Sequence, residues 1–205
     1  MSFLEILKDR GLVIATGNKG KFQEFLRMLS SLDIKLYTLR DFSEFPEPVE
    51  NDPTFEGNAK IKAVDACSHL NMPVLADDSG LSVDALNGEP GVLTARYGGP
   101  DLDDSGRRKH LLQKMKDIPE DKRSARFVCA LCFSVNGEDF NFFRGESEGS
   151  ILYEDSGNDG FGYDPIFLSE TGKKSFASLD PSVKDSVSHR GRAVEKFINF
   201  LNAGN

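Results

Sequence analysis

Tryptophan is absent from these 205 residues, and there are only three histidines and three cysteines. An odd cysteine count (Cys67, Cys129 and Cys132) without regular spacing argues against a disulfide framework. Cys129 and Cys132 do match C-x-x-C, but the run from Phe127 to Val135 is apolar and β-prone. Side chains three apart on a strand point to opposite faces, so the pair reads as core and not as a zinc or redox site. Long apolar runs are also missing. None approaches the roughly 20 residues that a bilayer-spanning helix needs, and Met1 to Arg10 lacks the apolar centre of a signal peptide. The expectation is a cytoplasmic protein with no membrane partner. Positive charge is scarce: 25 Lys and Arg against 33 Asp and Glu leave a net charge of −8. Such a chain binds nucleic-acid backbone poorly, so no nucleic-acid partner is expected. A small anionic substrate stays open, if a divalent cation and local lysines overcome the repulsion.

What is present suffices for a sizeable core, with 39% hydrophobic residues and 16 Phe. The length allows one domain over residues 1–205, or one domain with two lobes around a cleft. Leu12 to Ala15 reads as a buried strand. A helix follows Lys19, with Phe22, Phe25, Leu26, Leu29 and Leu32 on one face, and Ile34 to Leu39 is the next strand. Asp41 to Pro53 is acidic and proline-rich, hence a loop. Helical spacing returns at Ala63, Val64, Cys67 and Leu70 and ends before Pro73. Asp101 to Met115 is a further helix, with Leu111, Leu112 and Met115 on its apolar face. Strands over 126–135 and 139–148 meet at the turn signal Asn136-Gly137, and His189 to Leu201 closes the chain as a helix. The fold class is α/β: a mixed sheet flanked by helices.

Four constellations carry possible chemistry. After the run Pro73 to Ala76 comes Asp77-Asp78-Ser79-Gly80, read as a strand emerging into a turn. Carboxylates are hard ligands suited to Mg²⁺, and ligands of α/β proteins gather at the carboxyl ends of strands. Glu47, Glu50 and Asp52 add a second acidic group in the loop before a helix. Thr16-Gly17-Asn18-Lys19-Gly20-Lys21 lies between a strand and a helix, where free N–H groups and the helix dipole favour phosphate. It is not a Walker A loop. Gly160-Phe161-Gly162-Tyr163-Asp164-Pro165 places an aromatic between two glycines, able to stack on a flat ring, beside an acceptor for a base edge. Lys184 and Ser188-His189-Arg190-Gly191 put cations and donors at the start of the last helix. Each has a plainer reading as a helix cap, a turn or a solvated face. His69 and His110 read as structural or exposed.

In their order along the chain, these segments resemble the inosine triphosphate pyrophosphatase family (Ham1/RdgB-like dITP/XTP pyrophosphatases). The residues carrying the match are Ala15 to Lys21, Thr54 to Ala63, Ala76 to Leu81, Pro90 to Tyr97, Phe161 to Phe167 and Ser188 to Gly191. The resemblance implies an elongated α/β fold with two lobes around a central cleft. It implies Mg²⁺-dependent hydrolysis of ITP, dITP and XTP to the monophosphate and pyrophosphate, by a homodimer that cleanses the nucleotide pool. Carried over residue by residue, Thr16, Gly17, Asn18, Lys19, Gly20 and Lys21 would bind the triphosphate, with Lys62 assisting. Glu50 and Asp78 would ligate Mg²⁺, and Asp78 would accept the proton. Ser79 would touch substrate, and Phe161, Gly162, Tyr163, Asp164, Lys184, His189 and Arg190 would hold base and sugar. The chain departs from the family at Gly57, where many members carry Glu; Glu56 points about 100° away around a helix and does not replace it. Two other readings stay open here: a phosphatase or kinase acting on the terminal phosphate, and a nucleotide sensor without turnover.

Overall fold

The computed structural model describes residues 1–42, 45 and 48–204. Six helices occur among them: α1 Phe3–Arg10, α2 Lys19–Met28, α3 Phe55–Leu70, α4 Asp104–Lys114, α5 Pro181–Val187 and α6 His189–Asn202. The strands are β1 Leu12–Ala15, β2 Leu36–Thr38, β3 Val74–Val83, β4 Ser124–Ser134, β5 Asn141–Ile151 and β6 Phe167–Ser169. They form one sheet in the order β2-β1-β3-β4-β5-β6. β1 runs parallel to both β2 and β3, whereas β5 and β6 are antiparallel, so the sheet is mixed as expected.

The chain divides into two compact units. One comprises Met1–Asp78, Cys129–Gly145 and Gly191–Asn205. There β1, β3 and β4 are buried on both faces, with side chains alternating between them. Leu12, Ile14, Leu75, Cys129, Leu131 and Phe133 join α2 and α6 residues in one cluster, while Val13, Ala15, Val74, Ala76 and Cys132 pack with Ala59, Ala63 and Ala66 of α3 in another. Cys129 and Cys132 thus diverge to opposite faces as free thiols. The second unit comprises Ser79–Val128 and Glu146–Arg190. Its core joins Leu81, Val83, Leu111, Met115, Phe127, Ile166, Phe167 and Phe176.

Three sequence expectations need correction. Asp77-Asp78-Ser79-Gly80 is not a turn, because β3 continues through it to Val83. The pairing partner ends instead: β1 stops at Ala15 opposite Ala76, so the two aspartates lie just past the carboxyl end of β1. Leu26 does not join the buried face of α2, being 37% exposed. The helix ends at Met28, and Ser30–Leu32 forms a tighter turn that rotates Leu32 into the core. Helix α4 begins at Asp104, later than Asp101, because Asp103 caps it by accepting from the Gly106 N–H.

Candidate active site

The acidic pair is split by strand geometry. Successive residues of β3 face opposite sides, so Asp77 and Asp78 serve different partners. Asp77 is 1% exposed. Its Oδ1 accepts from Lys21 Nζ at 2.8 Å, and its Oδ2 faces the Cys129 thiol at 3.7 Å. Asp78 turns toward α3. Its Oδ1 accepts from Lys62 Nζ at 2.8 Å, and Asn58 Nδ2 approaches Oδ2 at 3.5 Å. Lys62 also lies 3.4 Å from Glu50 Oε1. Thus the two carboxylates expected to hold a metal converge on one ammonium group.

Lys21 arrives from the helix that follows β1. Asn18 caps α2 by accepting from the Lys21 N–H at 3.0 Å, and Thr16 Oγ1 accepts from the Asn18 N–H at 3.2 Å. The loop 16–21 therefore folds into a helix start whose other first-turn N–H groups have no partner within the helix. Lys19 is exposed. The Arg40 guanidinium reaches the Gly17 carbonyl at 3.4 Å and adds a cation that the sequence reading overlooked.

Burial pushes the Asp78 carboxyl above the ordinary aspartate value of 3.8; Lys62 and Lys21 pull it back, and Glu50 adds to the rise. For Lys62, burial works against the charge, but Asp78, Glu50 and Asp77 more than offset it and hold its pKa above 10.5. The ammonium is in effect the counter-ion of two carboxylates. Hard oxygen donors already gathered around one cation fit Mg²⁺, which takes one or two carboxylates and completes its shell with substrate oxygens and water. Among the described residues, no group of three or more His, Cys, Asp or Glu side chains is placed to hold a metal ion.

The second unit builds a different environment. His189 is 4% exposed, and its ring stacks on Phe127 with centroids 4.7 Å apart and planes 11° from parallel. Phe176 lies parallel to both rings. Lys184 Nζ donates to Asp164 Oδ2 at 2.6 Å and sits 4.8 Å above the Phe161 ring. The same Asp164 oxygen accepts from the Phe161 N–H at 2.9 Å. Arg190 Nη2 donates to Ser79 Oγ at 2.8 Å. The structure therefore brings Phe161, Asp164 and Lys184 together, and Ser79 with Arg190. The Tyr163 ring belongs to the apolar core, its hydroxyl donating to the Thr94 carbonyl at 3.2 Å.

With this geometry in view, the sequence profile of the Ham1 family matches residues 12–200. The chain belongs to the Ham1 family. It is 46% identical over 187 residues to the dITP/XTP pyrophosphatase of Bacillus cereus, covering 90% of this chain and 91% of that protein. With the dITP/XTP pyrophosphatase of Oceanobacillus iheyensis it shares 41% over 191 residues, 93% of this chain and 97% of the relative. Among solved structures, a HAM1 protein from Coxiella burnetii superposes with a TM-score of 0.84 at 38% identity, covering 94% of this chain and 98% of that one. The nucleoside-triphosphatase / dITP/XTP pyrophosphatase from Mycobacterium abscessus gives 0.74 at 40% identity, over 93% and 98% of the two chains.

A Cβ built on Gly57 collides with the carboxylate of Asp52. Asp52 Oδ1 accepts from the Thr54 N–H and hydroxyl at 2.8 and 2.5 Å, and these bonds hold its pKa below 3.8. Asn58 closes the arrangement: its Oδ1 accepts from the Asp52 N–H at 3.0 Å, and its Nδ2 donates to the Asp52 carbonyl at 3.1 Å. Glu56 turns away to Arg144 at 2.6 Å, as the helical angle requires. The sequence reading missed Asn58. Its signal was a polar side chain one turn before Lys62, on the face of α3 that also carries Ala59, Ala63 and Ala66. Glu47, named in the acidic loop, lies outside the described residues.

Proposed function

We propose that this chain hydrolyses deaminated purine nucleoside triphosphates (ITP, dITP and XTP) to the monophosphate and pyrophosphate, and so cleanses the nucleotide pool. The observation that carries this reading is the convergence of Asp78 and Glu50 on Lys62 Nζ, beside the Lys21–Asp77 pair at the start of α2. The family's known relatives of similar length, named as dITP/XTP pyrophosphatases, support it.

In this reading Glu50 and Asp78 hold Mg²⁺, which when bound neutralises phosphate charge and favours attack by water. Lys21, Lys62 and the N–H groups opening α2 take up the remaining charge of the triphosphate, with Thr16 to Gly20 forming its bed. Asp78 accepts a proton from the water that attacks the α-phosphorus; the bond to the bridging oxygen breaks and pyrophosphate departs. Ser79, Phe161, Gly162, Tyr163, Asp164, Lys184, His189 and Arg190 hold the base and sugar. Hypoxanthine and xanthine present an acceptor O6 to donors such as His189 and Arg190. Adenine presents an amino group there, leaving donors unpaired at about 1–3 kcal/mol each. A single domain over 1–205, two lobes around a cleft, a homodimer and a cytoplasmic setting complete the proposal. Among the described residues, no helix is long and apolar enough to cross a membrane.

The test is incubation with Mg²⁺ and ITP, XTP, GTP or ATP, with product identification. Pyrophosphate from ITP and XTP, ahead of ATP, is expected. Orthophosphate would assign the chain to terminal-phosphate chemistry, and equal rates on all four would sink the account of base choice.

A further inference from the structure

Gly162 sends both of its backbone polar groups to one face of α4. Its N–H donates to Asp104 Oδ2 at 2.9 Å, and its carbonyl accepts from Arg108 Nη1 at 2.9 Å. Asp104 and Arg108 are four residues apart, so they lie one above the other on the helix surface. The remaining guanidinium nitrogens of Arg108 grip Asp155 at 2.7 to 3.1 Å in a forked pair. One side chain therefore ties Asp155 to Gly162 and closes the loop between them.

We propose that Asp104 and Arg108 are positioning residues for nucleobase recognition, a clamp on the Gly162 peptide that fixes the loop bearing Phe161 and Asp164. The inference rests on the base-recognition role given to that loop above. Three glycines of the loop, Gly157, Gly160 and Gly162, have positive φ. Such a segment loses much backbone entropy on ordering and needs external ties to keep one shape. Its residues 153–160 are exposed, so its own side chains supply little packing. Arg108 is a strong tie, being only 14% exposed at the side chain, with a planar fork that matches both a carboxylate and a carbonyl. The clamp and the motif also share a space: Asp104, Arg108, Asp155, Phe161, Gly162 and Pro165 line a cavity of about 520 Å³. Releasing Gly162 moves the wall of that cavity, the Phe161 ring, and the N–H that Phe161 donates to Asp164.

Arg108→Ala, Asp104→Ala and Phe161→Ala test this in the full chain with Mg²⁺. Calorimetry measures binding of inosine monophosphate and of inorganic tripolyphosphate; steady-state kinetics give kcat and KM for ITP. Both clamp variants are expected to weaken inosine monophosphate and raise KM by about 10-fold, with kcat nearly constant and tripolyphosphate binding unchanged. Unaltered inosine monophosphate binding in both, while Phe161→Ala weakens it, overturns the clamp and leaves the base site standing. Unaltered binding in Phe161→Ala overturns the base site and the clamp with it. Equal weakening of both ligands marks a general structural role and also overturns the proposal. Asp104 is 56% exposed at its side chain, so its variant decides the matter if Arg108→Ala does not fold.

Discussion

Lys62 Nζ lies 2.8 Å from Asp78 Oδ1, with both side chains largely withdrawn from water. Breaking a buried pair by removing one member leaves an uncompensated charge, at a cost of about 3–5 kcal/mol. Lys62→Met is therefore expected to lower stability strongly without Mg²⁺, and added Mg²⁺ is expected to restore part of the loss. Thermal melts with and without the ion check this. A Mg²⁺-independent melting temperature in the variant would argue against a shared cation position.

Asp78→Asn keeps the shape and removes the charge and the proton acceptor. Turnover of ITP is expected to fall by on the order of 10² or more. The pH dependence has a definite sign. Because the folded pKa is raised, the stability that comes from the bound proton is fully present below the ordinary value of 3.8 and is lost as pH rises through the shifted value. In the metal-free protein, carboxyl titration followed by NMR is expected to place the Asp78 midpoint above 3.8. A midpoint at or below that value would show that Lys62 and Lys21 outweigh burial at this carboxyl.

Gly57→Ala forces the Asp52 carboxylate to move. Overpacking of this kind costs about 1–3 kcal/mol. Asp52 is two residues from Glu50, so the substitution is also expected to raise the Mg²⁺ concentration needed for half-maximal turnover. A metal titration beside a denaturant melt separates the two effects.

Arg123 is 1% exposed, and its guanidinium donates to the carbonyls of Ile151, Met115, Ile118 and Leu152. Arg123→Met removes a donor from each of them; Met115 keeps the Ile118 N–H, and each buried carbonyl left without a partner costs about 1–3 kcal/mol. Urea unfolding is expected to show a loss at the upper end of single-substitution effects. A loss below 1 kcal/mol would mean that water replaces the guanidinium.

The three thiols are buried. Burial raises the pKa of Cys67 and pushes Cys132 up to about 12. Reactivity follows the thiolate, so a thiol reagent at pH 8 is expected to label the native chain slowly and three sites after denaturation. Any stability gained from keeping Cys132 neutral is present below its ordinary value of 9.0 and lost as pH rises toward 12.

Much of the order of helices and strands was written in local signals, though α1, α5 and β6 were not read from them. The apolar run Leu12 to Ala15, helical spacing near Ala63, Asn136-Gly137 at the hairpin and Asn18 as a cap each report a neighbourhood of a few residues. So did the divergence of Cys129 from Cys132, since strand period two is a local rule. The motifs also marked their residues, because carboxylates, lysines and glycine-flanked Phe161 have limited uses in such settings.

Tertiary structure decided what local rules cannot reach. That β3 runs on through Asp78 depends on neighbouring strands, not on the apparent turn residues. Whether Asp77 and Asp78 act together or apart depended on which helix covers each face: α3 delivers Lys62 to Asp78, while α2 delivers Lys21 to Asp77. Asn58, Arg108 and Asp104 gained their roles only from partners 20, 54 and 58 residues away. A hydrogen bond is set by distance in space, and the chain's alphabet encodes the donor but not the acceptor it will meet.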